Sequence, residues 1–145
     1  MIEYGTANKK HLREILELYK QLKTDEEPIN IDDANKIWEK IKQSNIKYFI
    51  AKENDRIIAS CYICIIPNLT KKGKFIGFIE NVITDNKYRR KGIGRTIMEN
   101  AIGFAKENNC YKVLLQSGNQ RMEAHEFYEA LGFIKVSKSS FEKIF

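Results

Sequence analysis

Residues 86–102 read NKYRRKGIGRTIMENAI, which joins three consecutive basic residues to a Gly-Ile-Gly sequence and an apolar periodicity. The apolar spacing predicts a helix over residues 92–108, so the glycines lie at its start. Like charges repel and glycine weakens a helix, so Arg89, Arg90 and Lys91 need another explanation. The first turn of a helix offers unpaired N–H groups and a partial positive charge, and glycines admit a close ligand. The stretch therefore predicts an anion-binding loop, most naturally for a diphosphate.

Two other phosphate motifs do not fit the stretch. A P-loop needs the pattern G-x-x-x-x-G-K-[ST], and that spacing is absent. The dinucleotide fingerprint needs G-x-G-x-x-G, but Ile97 occupies the position of the third glycine.

The composition is that of an ordinary globular protein. The chain has 145 residues, of which 43% are hydrophobic and 30% charged, so one domain over residues 1–145 is expected. No apolar run approaches the roughly 20 residues that span a bilayer. The first ten residues, MIEYGTANKK, lack the apolar core of a secretory signal, which makes a cytoplasmic location the expectation. The net charge of +6 fits nucleic acid, an acidic membrane surface or an anionic small ligand.

The three cysteines do not indicate a disulfide framework or a metal site. Cys61 and Cys64 form a C-x-x-C pattern inside IIASCYICII, which reads as a strand. Residues three apart on a strand point to opposite faces, so the two sulfurs diverge. The sequence offers no second Cys/His pair to complete a zinc site, and no metal is expected.

The pattern of the whole chain predicts a mixed sheet with helices on its faces, an α/β (α+β) fold. Three consecutive strands in the middle favour an antiparallel part, and the later strand–helix–strand unit needs a parallel crossover. The turn between the second and third strands is ENDR, Glu53 to Arg56. Strands are predicted at residues 2–6, 47–52, 57–66, 75–84, 111–116, 133–136 and 140–145. Helices are predicted at residues 11–23, 30–42, 92–108 and 121–131, the last capped by Gly132.

The same stretch resembles the cofactor loop of the GCN5-related N-acetyltransferases (GNAT), which reads [QR]-x-x-G-x-[GA] between a strand and a long helix. In this chain that loop is RRKGIG, preceded by FIENVITDNKY and followed later by RMEAHEFYEALGF. The resemblance covers the element order of the whole chain, and residues 80–133 at the level of motifs. It implies a single N-acetyltransferase domain with a mixed sheet of six to seven strands and about four helices.

The resemblance also implies an acyltransferase that uses acetyl-CoA as co-substrate and acetylates a small-molecule amine by direct attack on the thioester. The run RMEAHEFYEALGF is most similar to enzymes that act on amino sugars or aminoalkylphosphonates. No nucleic-acid or membrane partner is then expected, and a homodimer is left open because the family often forms dimers. The cofactor loop implied by the resemblance comprises Arg89, Arg90, Lys91, Gly92, Ile93, Gly94 and Arg95.

Further site residues follow from the same resemblance. In this family the strand before the loop splays at a bulge, and its free N–H groups bind the pantetheine and the acetyl carbonyl. The matching positions are Val82, Ile83 and Thr84. N–H donors fixed at a developing oxyanion lower the barrier by several kcal/mol, on the order of 3. Tyr128 matches the tyrosine that protonates or hydrogen-bonds the departing sulfur; otherwise it is a core residue.

The general base is not decided by the sequence. Glu80 lies in GFIENVIT, an otherwise apolar strand, and an inward carboxylate there takes the amine proton through a water. It otherwise binds a cationic substrate or faces solvent. His125 precedes Tyr128 by one helical turn and is the alternative base, a substrate ligand or a structural histidine.

One position departs from the family. Many members carry an asparagine seven residues before the tyrosine, in contact with the cofactor, but here that residue is Arg121. Asn119 lies two residues earlier and is expected to substitute, whereas Arg121 reaches a cofactor phosphate or an anionic substrate group instead.

The acceptor amine is less well marked. The family places acceptors against the first two helices, where five acidic residues suit a cation: Asp25, Glu26, Glu27, Asp32 and Asp33. The alternatives are a protein or peptide amine acetyltransferase, a non-catalytic acyl-CoA-binding protein, or a nucleic-acid-binding module based on the basic cluster at residues 87–95.

Overall fold

A mixed sheet forms the centre of residues Met1–Leu115. Its strands lie in the order β1 (Ile2–Thr6), β2 (Ile46–Glu53), β3 (Arg56–Ile66), β4 (Phe75–Thr84) and β5 (Cys110–Leu114). The computed structural model describes residues 1–118 and 121–145, and Gln116–Phe145 form a second unit. The first four strands pair antiparallel with their neighbours, and β4 pairs parallel with β5, as the sequence predicts.

Four α-helices occur in the described residues, in agreement with the sequence. Asn30 caps the second helix, because its side chain accepts a hydrogen bond of 2.9 Å from the backbone N–H of Asp33. The helices are α1 (Leu12–Tyr19), α2 (Ile31–Lys42), α3 (Ile93–Glu107) and α4 (Met122–Ala130). The expectation that residues 1–145 form one N-acetyltransferase domain stays a prediction.

The helices of the first unit cover two faces of the sheet. On one face, Phe49 of β2 packs edge-on against Phe104 of α3, with ring centroids 5.8 Å apart. On the other face, Ile50 belongs to a buried cluster with Ile15 and Leu18 of α1. Alternate residues of one strand thus pack into different layers, as the period of a strand requires.

The hairpin between β2 and β3 is confirmed. Glu53 and Arg56 are paired at its end, so Asn54 and Asp55 form a two-residue turn. Asn54 has a φ of 56°, a left-handed conformation that asparagine tolerates better than most residues.

A bulge divides β4 into two halves. Glu80 pairs with Tyr62 and Ile83 pairs with Ser60, so β4 has one more residue than β3 over this interval. Asn81 has a φ of 52° at this point. The pairing with β5 recorded in the structure involves only Phe75–Phe78, so β5 leaves β4 before the bulge. The splayed strand implied by the family resemblance is therefore present.

The two closing strands predicted at residues 133–136 and 140–145 are wrong. The sheet has five strands in the described residues rather than six to seven. Gly132, with a φ of 92°, ends α4 as predicted, and the N–H of Phe133 donates to the carbonyl of Tyr128 at 3.1 Å. An alternating apolar pattern shows which side chains can face a core, but a strand also needs backbone partners. Ile134 and Phe141 remain 81% and 94% exposed.

Candidate active site

The segment between β4 and α3 has a fixed and unusual backbone. A short 3₁₀ helix, Asn86–Tyr88, follows Asp85. Arg90 and Gly92 then adopt φ angles of 62° and 79°, both left-handed. Glycine takes this conformation freely, whereas a residue with a side chain is strained there by roughly 1–2 kcal/mol.

The start of α3 is open to a ligand. A Cβ built on Gly92 would meet no atom within 4 Å, so the space above this residue is free of protein. The N–H of Thr96 donates to the carbonyl of Gly92 at 3.1 Å. The N–H groups of Ile93 and Gly94 precede that first helical bond and have no carbonyl within the helix to bind. This arrangement fits an anionic group such as a diphosphate.

The basic residues of the loop are exposed, and the contacts of Arg89, Lys91 and Arg95 lie close to the loop itself. The Nε of Arg89 donates to the carbonyl of Thr84 at 3.3 Å. The Nζ of Lys91 lies 5.3 Å from the ring centroid of Tyr88. Arg95 forms an exposed ion pair with Glu99 at 2.9 Å, one turn along α3. Their positive charge therefore surrounds the start of the helix.

The backbone of β4 beyond the bulge is the predicted pantetheine-binding segment, Val82 to Thr84. Ile83 is 5% exposed because its side chain joins the cluster under α1. Its role in the core does not compete with a role in binding, because the predicted contacts use backbone atoms.

Glu80 lies among tyrosines on the face of the sheet that carries α1 and α2. It pairs across the ladder with Tyr62, and Tyr62 pairs with Tyr48 of β2. The Tyr48 and Tyr62 rings stack with centroids 5.0 Å apart, and Trp38 of α2 meets Tyr48 edge-on at 5.5 Å. Burial and then the negative charge of Glu80 raise the pKa of Tyr62, while burial and the neighbouring Tyr62 raise the pKa of Tyr48 to about 12. These phenols stay protonated at neutral pH.

Tyr19 of α1 completes this tyrosine cluster. Burial is the largest cause of the raised pKa of its hydroxyl; Tyr48 raises that pKa further, and Asn81 lowers it. The hydroxyl is buried, and its geometry falls short of a hydrogen bond to either neighbour. The side of β4 that carries the candidate base is therefore lined by neutral donors and aromatic rings.

In the second unit, His125 and Tyr128 lie on α4 one turn apart. The Nε2 of His125 donates to the carbonyl of Gly118 at 2.8 Å, because a carbonyl only accepts. The ring of Tyr128 meets those of Phe127 and Phe133 edge-on, with centroids 5.3 and 6.1 Å apart. The roles predicted for the two residues stay predictions.

The turn that leads into α4 includes Arg121. Its N–H donates to the carbonyl of Gly118 at 3.0 Å, the same carbonyl that binds His125. Arg121 is exposed and occupies the N-cap position of the helix. Asn119, predicted to contact the cofactor, lies outside the described residues.

The cysteines have the environments that the strand interpretation gives them. Cys61 is fully buried, and burial raises the pKa of its thiol to about 12. Cys64 is partly exposed, three residues along the same strand. Within residues 1–118 and 121–145, no group of three or more His, Cys, Asp or Glu side chains is placed to hold a metal ion. In the same residues, no helix combines the length and apolar character needed to cross a membrane.

Residues 12–133 match the sequence model of the Acetyltransferase (GNAT) family. The chain belongs to the GNAT family. GNAT acetyltransferases use acetyl-CoA, so the family and the co-substrate expected from the sequence are confirmed.

Similar proteins and solved structures named as acetyltransferases are consistent with membership of this family. Glucosamine 6-phosphate N-acetyltransferase of Trypanosoma brucei brucei is 34% identical over 87 residues, which make up 60% of this chain and 57% of that protein. A solved structure from Agrobacterium tumefaciens str. C58, whose name describes an acetyltransferase, is 33% identical to this chain. The two superimpose with a TM-score of 0.92 over 98% of this chain and 99% of that one. A Clostridium acetobutylicum structure with acetyl-CoA is 26% identical with a TM-score of 0.80, covering 99% and 96%.

Sequence reasoning missed the residues that hold the loop. Asp85 is 2% exposed and forms an ion pair of 2.6 Å with Arg56. Gln21 accepts a hydrogen bond of 2.9 Å from the N–H of Asn86. These partners are far apart in the chain, so no local spacing indicates them. An aspartate directly after the predicted strand at residues 75–84 was an available signal, since aspartate commonly starts turns.

Proposed function

We propose that this protein is an acetyl-CoA-dependent N-acetyltransferase that acetylates the amine of a small molecule. The observation that carries the proposal is the bulged β4 followed by an open, positively charged helix start. Both features belong to one continuous segment, residues 79–95, in a chain of GNAT family and fold. Acetyl-CoA supplies the activated acetyl thioester.

The residues that would hold the diphosphate are those at the start of α3. The N–H groups of Ile93 and Gly94 point along the helix axis, where the helix carries partial positive charge. Arg89, Arg90 and Lys91 would add charge-assisted hydrogen bonds. Gly92 leaves the space that a phosphate needs, because no protein atom lies within 4 Å of its missing Cβ.

The backbone beyond the bulge would bind the other end of the cofactor. β5 is paired with β4 only as far as Phe78, so within residues 1–118 and 121–145 no strand pairs with the following part of β4 on that side. In this proposal those N–H groups of the segment Val82 to Thr84 that point away from β3 bind the pantetheine and the acetyl carbonyl. Donors held rigidly by β3 stabilise negative charge on that oxygen without reorganising.

Glu80 is the residue we assign as general base. It lies two residues before Val82 and faces the tyrosine cluster of Tyr19, Tyr48 and Tyr62. A carboxylate in this setting takes the proton of the acceptor ammonium, directly or through a water. Tyr128 is assigned as the donor of a proton or hydrogen bond to the departing sulfur, and His125 remains the alternative base.

The acceptor class we favour is a small amine that also carries a phosphate or phosphonate. The T. brucei relative is named for glucosamine 6-phosphate, which has both groups. A groove of about 440 Å³ between α1 and the segment before α2 is lined by Arg13, Glu14, Glu17 and Lys20 beside apolar side chains, and Lys20 pairs with Glu17 at 2.7 Å. Its mixture of charges suits a ligand with both signs. The acidic residues of this region, from Asp25 to Asp33, are exposed.

The experiment that tests the proposal is a screen of amines with purified protein, following the release of CoA thiol. The panel contains glucosamine 6-phosphate, glucosamine, aminoalkylphosphonates, polyamines, amino acids and peptides with free amino termini. We expect turnover of a phosphorylated or phosphonylated amine, with kcat/KM at least about tenfold above the same amine without its anion. Turnover of peptides alone would overturn the acceptor class. Binding of acetyl-CoA without turnover of any amine would favour the non-catalytic alternative.

A further inference from the structure

The end of the β2–β3 hairpin forms side-chain hydrogen bonds with residues 85–88, which lead to the proposed cofactor loop. Glu53 and Arg56 are paired across the two-residue turn, and each side chain reaches that segment. The guanidinium of Arg56 donates to the carboxylate of Asp85 at 2.6 Å, and the hydroxyl of Tyr88 donates to the carboxylate of Glu53. Asp85 and Tyr88 lie at the two ends of the short 3₁₀ helix, so one hairpin fixes both ends.

A third contact comes from the turn that follows α1. The side-chain oxygen of Gln21 accepts from the N–H of Asn86 at 2.9 Å, and the Gln21 side chain also helps to lower the pKa of the Asp85 carboxyl. We call Gln21, Glu53 and Arg56 the loop clasp. It connects the loop to two elements that the sequence places far away.

Asp85 is the centre of these contacts. Its Oδ1 accepts from the N–H of Lys87 at 2.9 Å, and its own N–H donates to the carbonyl of Ile58 at 2.8 Å. Burial alone would raise the pKa of this carboxyl, but the bonds from Lys87 and Gln21 and the charge of Arg56 together lower it. Asp85 is therefore a charged, almost fully enclosed anchor.

The clasp lies next to a backbone conformation that is unfavourable for a residue with a side chain. Arg90 is left-handed at a φ of 62° and lies two residues beyond Tyr88. Such conformations persist where the surrounding contacts over-determine them. Tyr88 also places its ring 5.3 Å from the Nζ of Lys91, a residue assigned to the diphosphate. The contacts of the clasp are thus linked through Tyr88 to a residue assigned to the cofactor.

We propose that Gln21, Glu53 and Arg56 are positioning residues for cofactor binding: they keep the loop in its binding conformation without contacting the cofactor. The proposal rests on the proposed function, because it assumes that the loop binds the diphosphate. A clasp that only stabilised the fold would lower the unfolding temperature and leave the affinity of the folded protein for coenzyme A unchanged.

The experiment compares Arg56→Ala, Arg56→Lys and Tyr88→Phe with the wild type in the full chain. Titration calorimetry measures the affinity for coenzyme A. Circular dichroism shows whether each variant is folded, and hydrogen exchange reports how well ordered residues 85–94 are. We expect Arg56→Ala to weaken binding about tenfold or more and to speed exchange in the loop. Arg56→Lys keeps the charge and should recover most of the affinity. With an accepted amine, KM for acetyl-CoA should rise while kcat stays within about twofold.

Two variants separate the possible causes. Tyr88→Phe removes the bond to Glu53 without altering any charge, so weaker binding there excludes a purely electrostatic effect, and it carries the test if Arg56→Ala does not fold. Lys42→Ala removes a positive charge in an exposed pair with Glu39, distant in sequence from the loop, and should leave the affinity unchanged.

The outcomes distinguish this proposal from the proposed function. If the wild type binds coenzyme A and the folded Arg56→Ala and Tyr88→Phe proteins bind it equally well, the clasp is structural and the positioning role is overturned. If the folded wild type binds no coenzyme A, both the proposed function and the positioning role fall.

Discussion

Glu80 of β4 and Tyr62 of β3 are directly paired across an antiparallel ladder, at the last register position before the bulge. The charge of Glu80 contributes to the raised pKa of Tyr62, so the two side chains share one environment. Directly opposite residues in such a ladder have Cβ atoms about 5 Å apart. The pair places a carboxylate beside the point where the backbone of β4 opens, which is where the proposed mechanism places the base for the acceptor amine.

Replacing Glu80 with Gln should lower kcat/KM by about a hundredfold near neutral pH, because the amide cannot accept the proton of the ammonium. An alkylammonium has a pKa near 10, so at higher pH a growing fraction of the acceptor is already neutral. The loss should therefore shrink as the pH rises. The measurement is the pH profile of kcat/KM for both proteins, with Glu39→Gln on the exposed face of α2 as control. A loss of equal size at every pH would count against the base role.

Replacing Tyr128 with Phe should reduce kcat by about a hundredfold and leave the affinity for acetyl-CoA nearly intact. The ring keeps its edge-on contacts with Phe127 and Phe133, so only the hydroxyl is lost. Steady-state kinetics and calorimetry with coenzyme A measure the two quantities. An unchanged kcat would remove Tyr128 from the chemistry.

Gly92 and Gly103 provide a matched pair of glycine-to-alanine changes. A Cβ at either position meets no atom within 4 Å, so steric clash does not account for a difference between the two alanine variants. Gly92 has a φ of 79°, and Gly92→Ala should destabilise the protein by about 1 kcal/mol and weaken coenzyme A binding. Gly103 lies inside α3, where Gly103→Ala should stabilise by about 0.5–1 kcal/mol without affecting binding. Urea unfolding and calorimetry test both; equal effects would argue against a backbone role for Gly92.

The local features of this protein were accessible from the sequence. The basic Gly-Ile-Gly loop, the Asn54-Asp55 turn and the apolar stripes of the four helices each depend on residues within one or two turns of one another. Their physical causes are short-range, so spacing is sufficient to find them.

The long-range features were not accessible in the same way. Arg56 and Asp85 meet because the start of β3 lies antiparallel beside the end of β4, and no periodicity within either strand encodes that contact. The alternation at residues 133–136 predicted a strand, but pairing depends on a neighbour that the pattern does not describe. The bulge was expected from the family resemblance alone. Asn81 tolerates its left-handed conformation, yet an asparagine inside an apolar strand does not by itself indicate one.

The enclosed carboxylate of Asp85 predicts a particular dependence of stability on pH. Hydrogen bonds from Lys87 and Gln21 and the charge of Arg56 outweigh burial and hold its pKa below that of the unfolded chain, which is near 3.9. Its contribution is therefore fully present above about pH 4 and is lost as the pH falls through the lower, folded pKa. At pH 6–7 the free energy of unfolding of Asp85→Asn should be lower than that of the wild type, because Arg56 loses its buried anionic partner. This difference should narrow towards pH 3. Urea unfolding across this range measures it, with Asp55→Asn in the exposed hairpin turn as control. A gap that stays constant with pH would show that Asp85 is not held as a carboxylate by these contacts.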